Sequence, residues 1–213
     1  VHVAADARDQ RRGGRHLADG DQRQGGPEAP GRHPDGLDGG GDHPGRDQQD
    51  PRAGRQVAAP LGDKDVPGIQ QSYLLYLPEG YPGNRQWPLL LFLHGSGERG
   101  NDIDRVKKHG PPRLAEEGKD FPFVIVSPQC PAGETWSAEA LERFLDKMLT
   151  RYRIDRNRVY LSGLSLGGYG TWDLAGTVPE RFAAAAPVCG GGDPARAGAM
   201  KDLPLWVFHG EKD

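Results

Sequence analysis

The pentapeptide Gly163-Leu164-Ser165-Leu166-Gly167 sets one hydroxyl between two glycines, each two positions away. A short apolar run, Val159 to Leu161, precedes it, and the stretch from Gly168 to Leu174 is compatible with a helix. A serine at this spacing between strand and helix is the pattern of a nucleophile on a sharp, strained turn, where side chains at the flanking positions would clash. The Ser165 hydroxyl would then stand exposed above the strand ends. The N-terminus of the following helix would favour the negative charge that develops on an attacked carbonyl. The chemistry expected of Ser165 is therefore covalent nucleophilic catalysis.

A second element, His94-Gly95-Ser96-Gly97-Glu98-Arg99-Gly100, follows the apolar run Leu89 to Leu93 directly. In folds that carry such a nucleophile, a loop of this kind supplies one backbone N–H to the oxyanion, and the residue after the nucleophile supplies the other. The backbone amides of Ser96 and Leu166 are thus the expected oxyanion hole. His94 reads as a strand-ending brace that hydrogen-bonds the loop, because a general base is expected later in the chain. A third element, Leu205-Trp206-Val207-Phe208-His209-Gly210-Glu211-Lys212-Asp213, runs from an apolar stretch into a polar turn. A carboxylate there could orient a histidine, and Asp213 and Glu211 both qualify.

These residues need a sheet to position them. Ser72 to Leu77, Leu89 to Leu93, Phe123 to Val126, Val159 to Leu161 and Leu205 to Phe208 are short and mostly apolar, bounded by Pro, Gly or polar residues. That is the expectation for strands covered on both faces. Leu141, Phe144, Leu145, Met148, Leu149 and Tyr152 recur at the spacing of one buried helix face, with Ser137 placed as its cap. Strand, helix, strand in this order predicts an α/β domain with a parallel sheet.

Hydrophobic residues make up 35% of the 213, with 32 Gly and 19 Pro, so something dilutes the core-forming sequence. The dilution is local. From Val1 to Gly68 there is no aromatic residue other than histidine, no Ile, Met or Cys, and no Ser, Thr or Asn. Such a segment cannot bury enough apolar surface to offset its ordering entropy. Residues 1–68 therefore read as a disordered or non-native low-complexity segment, and 69–213 as the folded domain. An RNA-binding or metal-binding tail is the competing reading, prompted by Arg11-Arg12-Gly13-Gly14 and by His2, His16, His33 and His43. Against it, no base-stacking aromatic is present and the histidines lack ligand spacing.

A net charge of −3 offers no global attraction to nucleic acid or an anionic membrane, so the expected partner is a small molecule. No metal is expected. No apolar run is long enough for a transmembrane helix, and the first residues lack the pattern of a signal peptide; cytoplasmic and secreted locations both stay open. Two cysteines, Cys130 and Cys189, neither require nor exclude a bridge.

From Tyr73 to Asp213 the chain resembles bacterial carboxylesterases of the α/β-hydrolase superfamily, EstA-type, in the group related to prolyl oligopeptidases and polyhydroxybutyrate depolymerases. The residues that carry the resemblance are His94 to Gly100, Ser127-Pro-Gln-Cys-Pro131, Trp136-Ser137, Gly163 to Trp172, Pro187-Val-Cys-Gly-Gly-Gly-Asp193 and Trp206 to His209. The resemblance implies an α/β-hydrolase fold, a mostly parallel sheet with helices on both faces. It implies Ser165 as nucleophile, Asp213 rather than Glu211 as the acid, and hydrolysis of short-chain to medium-chain esters without a cofactor. It also sets Trp136 near the acyl or alcohol pocket, with a buried packing role as the alternative.

The pattern is departed from in one respect. In the family the catalytic histidine follows the acid, and no residue follows Asp213 here. The domain's own histidines are His94, His109 and His209; His109, in Lys107-Lys108-His109-Gly110-Pro111-Pro112, reads as capping or packing a helix end. The expectation is thus a hydrolase truncated before its last strand, last helix and base. A feruloyl or acetylxylan esterase and a prolyl-oligopeptidase-like peptidase are the alternatives within hydrolases, and an inactive fragment is the alternative outside them. A dienelactone hydrolase fits less well, because that family commonly carries Cys where Ser165 stands.

Overall fold

The computed structural model describes residues 49–62 and 66–212. Six strands form one sheet: β1 (Arg55–Pro60), β2 (Ser72–Leu77), β3 (Trp87–Leu93), β4 (Val124–Pro128), β5 (Ile154–Leu164) and β6 (Ala184–Val188). Their spatial order is β1-β2-β4-β3-β5-β6. The β3–β4, β3–β5 and β5–β6 pairs are parallel, while β1–β2 and β2–β4 are antiparallel. Three α-helices accompany them: α1 (Gly110–Glu116), α2 (Ala138–Arg151) and α3 (Leu166–Thr177).

The alternation of side chains along each strand divides the interior into two clusters. Tyr73, Leu75 and Leu77 of β2, Leu89, Leu91 and Leu93 of β3, and Val124 and Val126 of β4 pack with Leu141, Phe144, Leu145, Leu174 and Ala175 from α2 and α3. The intervening residues Tyr76, Leu90 and Ile125 face the other way and meet Ala115 of α1 with Phe121 and Phe123. A period of two sends neighbours to opposite faces, so strands covered by helices on both sides must be apolar at nearly every position.

The predicted helix is present: Ser137 caps α2, its Oγ accepting from Ala140 N, and all six apolar positions predicted for its buried face are buried. Two expectations need correction. The boundary at residue 68 is too late, because β1 lies before it and pairs with β2 from Arg55↔Leu77 to Pro60↔Ser72. As an edge strand, β1 needs few buried apolar side chains, which is why composition did not mark it. The rest of the low-complexity reading lies, up to residue 48, outside the described residues. The run Leu205 to Phe208 is also not a buried strand. It follows β6 through the isolated bridges Ala185↔Leu205 and Val188↔Phe208, and its four side chains are exposed, Trp206 at 71%. Backbone pairing alone brings a segment to a sheet edge; burial requires a layer on top.

Among the described residues no helix is long and apolar enough to cross a membrane. Cys130 is buried, and burial pushes its thiol up to about 11.

Candidate active site

The C-terminal ends of the parallel strands β3, β5 and β6 meet at one rim, and Ser165 sits in its middle, between β5 and α3. Its backbone takes φ 54°, ψ −112°, a combination that costs a non-glycine residue of order 1–3 kcal/mol and persists only where the surroundings impose it. Ser165 N donates to Val188 O at 2.8 Å and Ser165 O accepts from Tyr169 N at 3.0 Å. The spacing of the glycines follows from close backbone approach. A Cβ on Gly163 would stand 2.2 Å from Gly167 O, and one on Gly167 would stand 1.9 Å from Leu93 O. A Cβ on Gly168 would meet Val188 O at 2.5 Å. The turn can be this tight only because these three residues have no side chain.

The loop after β3 touches the same turn. The place a Cβ on Gly95 would occupy lies 3.4 Å from Leu164 O and 3.7 Å from Ser165 Cβ. Among the described residues neither Ser96 N nor Leu166 N has an acceptor, so two backbone donors at this rim are uncommitted. Ser96 is exposed and Leu166 half-buried, so both donors are open to a group placed beside Ser165.

Side chains hold the loop. Cys130 N donates to His94 Nε2 at 3.0 Å, so the imidazole proton lies on Nδ1, which donates to Gly95 O at 2.6 Å. Burial holds the His94 imidazole below its ordinary value. Neutral and with both nitrogens occupied, His94 is a brace, as expected from the sequence. Gln129 Nε2 donates to Glu98 O at 2.8 Å and to Asp102 O at 2.7 Å, clamping the loop at two further points. The sequence reading quoted Gln129 within Ser127 to Pro131 but gave it no role. A buried glutamine among strand-end prolines was the available signal.

Trp136 has a packing role at this rim. It is buried, its Nε1 donates to His94 O at 3.1 Å, and its ring meets the His94 ring edge-on at 4.9 Å between centroids. Its ring also packs on Gly170 and lines a cavity of about 510 Å³ with Thr135, Leu166, Tyr169, Trp172 and Arg196. This cavity opens beside Leu166, the residue after Ser165.

The remaining histidines are accounted for differently. His109 occupies the N-cap position of α1, but its side chain makes no capping hydrogen bond; instead Nε2 lies 3.7 Å from Glu98 Oε1. His209 is exposed beyond the bridge to β6, and Glu211 is exposed in the turn after it. No described imidazole hydrogen-bonds the Ser165 hydroxyl. Asp213 lies outside the described residues. Among the described residues no group of His, Cys, Asp and Glu could hold a metal ion.

No family model matches the chain. A bifunctional acetylxylan esterase/xylanase of Neocallimastix patriciarum is 32% identical over 153 residues, covering 68% of this chain and 22% of that protein. A poly(3-hydroxyalkanoate) depolymerase C of Paucimonas lemoignei is 30% identical over 142 residues, covering 59% and 32%. The crystal structure of a thermostable esterase superposes with a TM-score of 0.62 at 36% identity, covering 74% of this chain and 47% of that one. The chain thus spans about a fifth to a third of these two curated relatives and about half of the solved esterase. Relatives and neighbours are ester hydrolases, and the mixed, mostly parallel sheet with its Ser-bearing turn is the α/β-hydrolase fold.

Proposed function

We propose that the rim around Ser165 is the site of a serine carboxylesterase acting on short-chain to medium-chain esters. Ser165 Oγ attacks the ester carbonyl, the amides of Ser96 and Leu166 receive the oxyanion, and the alcohol leaves from an acyl-enzyme that water then hydrolyses. Asp213 is the acid that orients the base, and the base is a histidine outside the described residues, since none of the described imidazoles is bonded to Ser165. No cofactor takes part. The observation that carries this reading is the left-handed, glycine-packed backbone at Ser165 between two uncommitted amides.

The cavity beside Leu166 supports a substrate side for one portion of the ester. Its aromatic walls, Trp136, Tyr169 and Trp172, also suit an aromatic or sugar ring, which keeps a feruloyl or acetylxylan ester as the second reading. The similarity to an acetylxylan esterase favours that second reading equally. The test is fluorophosphonate labelling of the chain, expressed with its native flanking sequence, read by mass spectrometry beside hydrolysis of p-nitrophenyl butyrate and methyl ferulate. Labelling confined to Ser165, with turnover lost in Ser165→Ala, is the expected result. A folded protein that takes no label and hydrolyses neither ester overturns the proposal. The ratio of the two rates decides between the readings.

A further inference from the structure

Glu98 is the one buried acidic residue among the described residues, 4% exposed, and the reaction above does not use it. Its backbone is fixed at both ends, N donating to Gly95 O and O accepting from Gln129 Nε2. Its carboxylate, by contrast, accepts no hydrogen bond among the described residues. The His109 imidazole stands 3.7 Å from Oε1 and is nearly half exposed. Oε2 points the other way. It lies 3.1 Å from the point a Cβ on Gly95 would occupy, and Ser165 Cβ lies 3.7 Å from that same point. An acceptor oxygen with open capacity therefore stands beside the nucleophile.

Two physical facts make this arrangement costly unless something completes it. A largely buried carboxylate loses part of its hydration and recovers it best from donors, and a half-exposed imidazole beyond hydrogen-bond distance is a weak substitute. A negative charge beside an oxyanion hole also opposes the charge that develops there. A donor placed on Oε2 relieves both, by satisfying the acceptor and drawing off its charge. His94 and Gln129 do not supply that donor, because they spend theirs on the Gly95, Glu98 and Asp102 carbonyls.

We infer that Glu98 is a specificity-determining residue whose carboxylate accepts a hydrogen bond from a hydroxyl of the substrate, close to the scissile ester. The inference rests on the esterase reading of Ser165 and names the substrate class of that site: esters that carry a free hydroxyl, either on the acid, as in a hydroxy acid, or on the alcohol, as in a polyol or sugar.

Two matched pairs of substrates separate those sources: methyl 3-hydroxybutyrate against methyl butyrate, and 2,3-dihydroxypropyl butyrate against propyl butyrate. The kcat/KM ratio within each pair is measured for the wild-type protein, for Glu98→Gln, which keeps shape and a neutral acceptor, and for Glu98→Met, which keeps length without an acceptor. Melting temperature and fluorophosphonate labelling of Ser165 accompany each. A bond from a hydroxyl to a buried charge predicts a wild-type preference of roughly tenfold or more for the hydroxylated member of one pair. That preference shrinks in Glu98→Gln and disappears in Glu98→Met. The pair that shows it identifies the side of the ester that Glu98 reads. Ratios near one in the wild type, or ratios unchanged in Glu98→Met while both rates fall together, overturn the inference and leave Glu98 as a structural residue. Absence of Ser165 labelling in the folded wild type instead removes the esterase reading itself.

Discussion

The turn that carries Ser165 is held by backbone packed on backbone, whereas the loop that carries Ser96 is held by side-chain hydrogen bonds. At the turn, Gly163, Gly167 and Gly168 each leave space that a carbonyl oxygen fills. In the loop, Gly97 has nothing within 4 Å of a would-be Cβ, and position is set by His94 and Gln129 reaching in from β3 and from the end of β4. Steric packing is nearly absolute, because interiors are close-packed and carbonyls cannot retreat. Hydrogen-bonded clamps are graded, since each contributes a modest net amount and its loss can be relaxed in part. A nucleophile needs a single strained geometry, and an oxyanion hole tolerates small adjustment, so the two devices suit the roles proposed for Ser165 and Ser96.

Substitutions at the two places should separate these devices. Ser165→Ala leaves both turns in place and should lower turnover by roughly a million-fold, as loss of a nucleophile does in serine hydrolases generally, with the melting temperature unchanged. Gly167→Ala drives a Cβ into Leu93 O and should abolish the folded state or lower its melting temperature severely, read by circular dichroism; a stable, active Gly167→Ala protein would break the comparison. Gln129→Leu leaves the Glu98 carbonyl without its donor but also removes Oε1, which is buried without a partner, so the loss of stability should stay at about 1 kcal/mol. Its kcat should nevertheless fall by roughly tenfold to a hundredfold as Ser96 N drifts, a split that kinetics beside thermal melts would show.

Acidification tests the His94 clamp. Burial lowers its folded pKa below the ordinary 6.5, so its stabilising contribution is full above about pH 6.5. That contribution declines as pH falls below 6.5 and stops declining at the folded pKa, because protonation displaces the Cys130 N–H from Nε2. Between pH 6.5 and 5 the melting temperature should therefore fall more steeply for the wild type than for His94→Gln. Smallest of all, Gly97→Ala should stay within about 0.5 kcal/mol of the wild type in stability, since open space surrounds it.

The strand-turn-helix that holds Ser165 was legible in the sequence because its signal is local: an apolar run, glycines at fixed offsets and a helix-compatible stretch are contiguous. The α2 helix was legible for the same reason, through its period and its Ser137 cap. The edge strand β1 was not, because a strand that buries one residue carries no apolar pattern to detect. Leu205 to Phe208 misled in the opposite direction: its apolar composition announced burial, while only its backbone pairs with β6.

By itself, then, the sequence determined the fold class, the turn that carries Ser165 and the glycines around it, because each follows from residue types a few positions apart. Which side chains reach the site from elsewhere was decided only by the tertiary structure. Gln129 lies 31 residues from the carbonyl of Glu98 that it clamps, and Cys130 lies 36 from the imidazole that its amide fixes. That Glu98 Oε2 and Ser165 Cβ both lie near Gly95 likewise depends on where the end of β3 meets the end of β5. Contacts across parallel strands join residues whose separation in the chain carries no period, and no local pattern can announce them.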